Sequence, residues 1–184
     1  MDDYYDLGRH TRRVTTESRE AQLWFDRGLV WTYAYHHEEA VACFERAAAA
    51  DPACAMASWG IAYALGPNYN KPWEFFDQQD LTATVRRTHA AVERAHELAA
   101  AATPVERALI GALRSRYPQA APAEDCSVWN APYADAMGEA YRLAPDDLDL
   151  AALYAEALMN LTPWRLWDLR AAVIIRGCCT CSST

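Results

Sequence analysis

Lysine is almost missing from this chain: of 17 basic residues among 184, Lys71 is the one lysine. The rest are scattered arginines, and the net charge is −8. Arg12-Arg13 and Arg86-Arg87 are pairs rather than patches, so the basic surface that nucleic-acid phosphates require is absent. Long apolar runs are absent too. The richest, residues 47–50, is followed at once by Asp51-Pro52, which excludes a membrane span there. The first twenty residues carry Asp2, Asp3, Asp6, Arg9, Arg12, Arg13 and Glu17, with no apolar stretch of a secretory signal, so the expected location is cytoplasmic. There is no G-x-S-x-G turn, no glycine-rich phosphate loop and no Cys–His pairing, hence no catalytic residue and no cofactor is expected. Paired C-x-x-C knuckles are also missing, and no metal site is expected. Of the six cysteines, Cys43 and Cys54 lie in apolar helical patterns and read as buried thiols. Cys178, Cys179 and Cys181 crowd the last seven residues, which read as a disordered, reactive tail.

Alternating β-branched stretches never run beyond a few residues, and the 7 glycines and 9 prolines fall between alanine-rich segments. That pattern predicts helices joined by short loops. The first spans about residues 18–35, with Leu23, Trp24, Leu29 and Trp31 at helical spacing and Gly28 where a neighbouring helix can approach. The second, about 37–50, shows Ala40, Phe44 and Ala47 on one face. Asp51 and Pro52 are expected to cap and open the third, about 52–65. After a turn-rich insertion over 67–80, Asp80 is expected to cap a helix to about 101. Thr103-Pro104-Val105-Glu106 is a capping box with proline at the first helical position, opening a helix to about 117. A loop over 118–126, a helix over 127–143 and another over 146–161 follow. Ala155 is expected at the small crossing position of the last, and Thr162-Pro163 reads as the cap of one more.

The third helix repeats the first at a spacing of 34: Phe25 recurs as Trp59, Gly28 as Ala62 and Trp31 as Leu65. Tyr133, Met137, Ala140 and Pro145 repeat Ala40, Phe44, Ala47 and Pro52 at an offset of 93, beyond two such periods because of the two loops. Trp24, Gly28, Trp31, Ala40, Phe44, Ala47 and Pro52 match the tetratricopeptide repeat pattern at its hallmark positions, and the chain resembles that family. The resemblance implies an all-α, right-handed solenoid of stacked antiparallel helix hairpins. Residues 1–17 form an extension, and 18–168 the repeat domain, with hairpins over 18–50, 52–101 and 104–143 and a half repeat over 146–161. Residues 169–184 read as a disordered or non-native tail. Residues 36–40, 55–57, 66–73 and 154–167 also resemble a group of longer bacterial tetratricopeptide proteins of poorly defined function. That narrower likeness implies further repeats and a chain that is a fragment, whose uncapped end favours self-association.

In such an array the first helix of each hairpin lines a groove. The matching positions are Gln22, Phe25, Leu29, Thr32 and Tyr33, then Met56, Trp59, Tyr63 and Gly66. No cation stands among them, so an acidic peptide tail is not the expected ligand. An aromatic groove fits an apolar peptide or small molecule, and the same rings serve equally well as packing. His37 follows His36 directly, and neighbours on a helix point about 100° apart, which makes them a poor chelating pair. His37 reads as a helix-start residue or as one member of a composite site. His89, Glu93 and His96 share a face and read as solvated. Asn68, Tyr69, Asn70, Lys71 and Trp73 form the most distinctive non-repeat feature, either a binding loop or a cover for the groove. The expected function is a non-enzymatic scaffold for a protein or peptide partner. The alternative is part of a larger metal- or small-molecule-dependent enzyme completed by further repeats.

Overall fold

The computed structural model describes residues 4–165 and the backbone of 167–168 and 173–174. Seven α-helices form these residues: α1 (Arg19–Tyr33), α2 (His37–Ala50), α3 (Ala55–Leu65), α4 (Gln78–Leu98), α5 (Pro104–Arg116), α6 (Asn130–Leu143) and α7 (Leu148–Met159). Short 3-10 turns at Trp73–Phe75, Ala99–Ala101 and Cys126–Trp129 join them. Trp167–Asp168 and Val173–Ile174 form a two-residue antiparallel ladder. The expectation of an all-α fold holds. No helix among the described residues is long and apolar enough to cross a membrane.

Each helix packs on the next in sequence, and α3 also touches α1 and α5. Glycine makes the closest approaches possible. A Cβ at Gly28 would stand 2.7 Å from the Phe44 ring, and one at Gly60 would stand 2.4 Å from it. Phe44 is fully buried, so one ring on α2 fills the notches that α1 and α3 leave for it. Gly66 opens a third notch, where an added Cβ would lie 1.6 Å from the Tyr117 hydroxyl. Cys43, Cys54 and Cys126 are buried free thiols.

Several helix ends differ from the sequence expectation. Asp51 closes α2 rather than opening α3: its carboxylate accepts from the Ala53 amide at 3.0 Å and its carbonyl from Cys54 at 3.0 Å. Pro52 therefore sits in the turn, and α3 starts at Ala55. Asp77, not Asp80, caps α4, accepting from the amides of Gln79 and Asp80 at 2.9 and 2.8 Å. The Thr103–Glu106 capping box forms with both its hydrogen bonds. Ala155 is exposed, because Leu150, Leu153 and Ala157 are the residues α7 buries. Thr162-Pro163 lies in a turn and opens no helix among the described residues. The tail over 169–184, with Cys178, Cys179 and Cys181, lies outside the described residues apart from the 173–174 backbone.

The segment before α1 is built into the fold. Val14 is buried, and Gln22 holds the strand on both sides, accepting from the Val14 amide at 3.0 Å and donating to the Arg12 carbonyl at 2.9 Å. Thr15 donates its amide and hydroxyl to the Glu106 carboxylate at 2.7 and 2.6 Å. Arg12 donates to Asp147, the cap of α7, at 2.7 Å and to Asp149 at 3.3 Å. Residues 12–15 thus tie α1, α5 and α7 together.

Candidate functional site

The end of α1 sets up the site. His36 donates its amide to the Trp31 carbonyl and Tyr35 donates to Thr32, a Schellman closure whose left-handed position is Tyr35 itself, at φ 59°. Glycine is the ordinary occupant of that position, and a side chain there costs about 1 kcal/mol. The tyrosine ring at this strained point is 44 % exposed and stands at the mouth of a cleft.

That cleft, about 190 Å³, lies between the end of α1, α3, the start of the 67–77 loop and α7. Tyr33, Tyr35 and Tyr63 line it with Glu156, and Leu153 and Met159 supply its apolar wall. Its volume is below the ~300 Å³ at which drug-sized pockets begin, and matches a side chain or a small ligand. Two of the phenols are aimed by carboxylates. Tyr33 donates to Asp149 at 2.6 Å, and Tyr63 donates to Glu156 at 3.2 Å. Burial, reinforced by those carboxylates, raises the pKa of both phenols, so they stay neutral donors. His37 also lines the cleft, and neither ring nitrogen makes a hydrogen bond among the described residues. Burial lowers its pKa, outweighing the nearby Ala64 backbone, so the ring is neutral at pH 7. A wider groove of about 750 Å³ shares Tyr35, His37 and Asn68 with the cleft.

Under the cleft lies Arg116, fully buried. It donates to the Pro67 carbonyl at 2.8 Å and its guanidinium sits 4.4 Å over the Tyr133 ring. Its Nε and Nη1, and the hydroxyls of Tyr117 and Tyr133, have no hydrogen-bond partner among the described residues. The guanidinium is held mainly by ring faces, which offset part of the cost of burying a charge.

The groove positions expected from the repeat divide into two sets. Tyr33 and Tyr63 line the cleft as expected, and Thr32 joins them. Phe25 and Leu29 do not: both are fully buried, Phe25 packing 5.4 Å from the Phe44 ring. Trp59 is also buried, stacked on Tyr63 at 5.2 Å, because α3 is covered on nearly all sides. Gln22 is spent on the segment before α1. Of the loop residues, Asn68 reaches the cleft, but its side-chain oxygen accepts from the amides of Asn70 and Lys71 and closes the loop's own turn. Lys71 pairs with Asp80 at 2.6 Å and lies 4.0 Å over the Phe76 ring. Tyr69 packs on Trp164 at 5.4 Å. Trp73 is core, donating to Asn130 at 3.1 Å. His89 faces the Tyr117 carbonyl at 2.9 Å, and Arg114 joins Glu93 at 2.8 Å, so that polar face bridges α4 to α5.

Tyr35, Glu156, Met159 and Arg116 are site residues that sequence reasoning passed over. Glu156 carries the one available signal, a lone acid inside the apolar run of α7. No group of three or more His, Cys, Asp or Glu side chains converges as a metal site among the described residues. A scan against protein-family models finds no match, and no curated protein or solved structure matches the chain.

Proposed function

We propose that this chain is a tetratricopeptide-like helical-repeat module, non-enzymatic, that binds a peptide or small-ligand partner in the cleft between α1, α3 and α7. The observation that carries the reading is the convergence of Tyr33, Tyr35, Tyr63 and Glu156 on one cavity, with Tyr35 held in a left-handed conformation that favours glycine. Residues held in strained backbone gather where a surface has a task other than stability. Further support comes from the spacing of 34 between α1 and α3 positions, and from the way odd-numbered helices contribute most of the cleft wall. An aromatic hollow with a few polar anchors is the ordinary form of a recognition site.

The test is an array of short synthetic peptides covering the twenty side-chain types, probed with the full chain and with Tyr35→Ala. A subset is expected to bind the parent chain and to lose at least about 1 kcal/mol on Tyr35→Ala, the usual mark of an interface aromatic, while the helical circular dichroism is unchanged. Uniform failure to bind, or binding indifferent to Tyr35, counts against the cleft.

A further inference from the structure

We infer that the cleft selects an organic cation on an aliphatic stem, in the form of a lysine side chain inserted by a partner peptide; this rests on the cleft being a binding site. Three phenol rings line it. Tyr63 is stacked on Trp59 and already has the Arg116 guanidinium 5.9 Å from its centroid, so the attraction of ring faces for an ammonium group within about 6 Å falls to Tyr33 and Tyr35. Among the described residues Glu156 is the one carboxylate in its lining, and His37, neutral at pH 7, adds no opposing charge. Tyr33 and Tyr63 each donate their proton to a carboxylate, Asp149 and Glu156, so both phenol oxygens keep lone pairs for an incoming donor. Leu153, Ala152 and Met159 offer the apolar wall along which a four-carbon stem lies.

The opposing charge is Arg116. It is fully buried and does not line the cleft, but besides the Pro67 carbonyl and the Tyr133 ring it lies over the Tyr63 ring at 5.9 Å and offsets part of the Glu156 charge. At longer range the net charge of −8 favours the approach of a cation and disfavours an anion. The acidic peptide tails gripped by basic grooves are therefore the wrong sign for this cleft.

The experiment is an amide-resolved NMR titration of the full chain with pentylammonium, pentanol and pentanoate, three probes that share a stem and differ in the head, and with acetyl-Gly-Lys-Gly-amide. Pentylammonium and the lysine peptide are expected to shift amides of residues 32–37, 63 and 152–159. The amine should bind about fivefold to tenfold tighter than pentanol, and pentanoate should not bind. Glu156 accepts from Tyr63 on one oxygen and from Asn160 on the other, so Glu156→Gln keeps one of the two acceptors, removes the charge and should erase the preference for the amine over pentanol. Tyr35→Leu, at an exposed position, should weaken the amine more than the alcohol. Equal binding of amine and alcohol overturns the cation inference and leaves the binding reading standing. Binding of the free amine without the peptide overturns the peptide partner. If no probe moves the cleft amides, both readings fail.

Discussion

Replacing Phe44 by alanine is expected to cost about 3–5 kcal/mol of folding stability, read as the shift of a urea denaturation midpoint at constant slope. The ring is fully buried and fills the notches at both Gly28 and Gly60. Its loss empties space at two helix contacts that backbone atoms line, where neighbours cannot collapse easily. The reciprocal change gives the same geometry from the other side. Gly60→Ala drives a Cβ to 2.4 Å from the ring and should cost about 1–3 kcal/mol. Combined with Phe44→Leu, which withdraws the ring, its cost should shrink, so the two effects are expected to be non-additive by about 1 kcal/mol or more. Additive costs would mean that the ring and the glycine do not meet.

Glu106→Ala is the second large effect, expected at about 2–4 kcal/mol, because it removes an acceptor from three donors in one step. The carboxylate is 3 % exposed and accepts from the Thr15 amide and hydroxyl and from the Thr103 amide, at 2.7, 2.6 and 2.7 Å. The variant both uncaps α5 and releases the segment before α1 from it. A pH dependence follows. Burial pushes the Glu106 carboxyl up, but the Thr15 and Thr103 donors outweigh it and hold the pKa below the ordinary 4.5. Asp147 is likewise held below 3.8: burial raises it, and the Arg12 guanidinium with the Leu150 amide outweighs burial. Carboxyls with depressed folded values stabilise fully above their unfolded values and lose that contribution as pH falls through the folded ones. Asp26 runs the other way, raised by burial despite the donors Thr11, Arg12 and Gln22, so it recovers some stability on acidification. Asp125 is lowered as well, by the Ser127 hydrogen bonds, so three lowered carboxyls stand against one raised. His37, lowered by burial, takes its proton later than in the unfolded chain, and the net loss is expected to begin below about pH 6.5 and to steepen below about pH 4.5. In Glu106→Gln that acid limb should be shallower than in the parent chain.

Much of the helical framework was legible in the sequence because its signals are local. The Thr103–Glu106 box, the small residue at Gly28 and the apolar face of Phe44 and Ala47 each speak within a turn or two of helix. Composition misplaces a helix start where two turn formers compete. Asp51-Pro52 has the composition of a cap followed by a first residue, yet Asp51 spends its carboxylate on Ala53 and delays α3 to Ala55. The tie through Arg12, Thr15, Glu106 and Asp147 joins residues about a hundred positions apart, and no periodicity reports such a contact. The site was half legible. Repeat register picks out Tyr33 and Tyr63, but it also picks out Phe25 and Leu29, because register assigns a face without saying how closely the next helix covers it. Tyr35 was invisible for a different reason: a left-handed residue at a helix end is read from glycine, and here the glycine is missing.

Tyr35→Gly tests the central claim most directly, because it separates stability from recognition in one variant. If the ring is kept at a left-handed position for binding, the glycine variant should gain about 1 kcal/mol and melt roughly 2–4 °C higher. The same variant should bind pentylammonium several-fold more weakly. A variant that melts no higher, or that binds as well as the parent chain, would contradict the assignment of this cleft as the working surface of the protein.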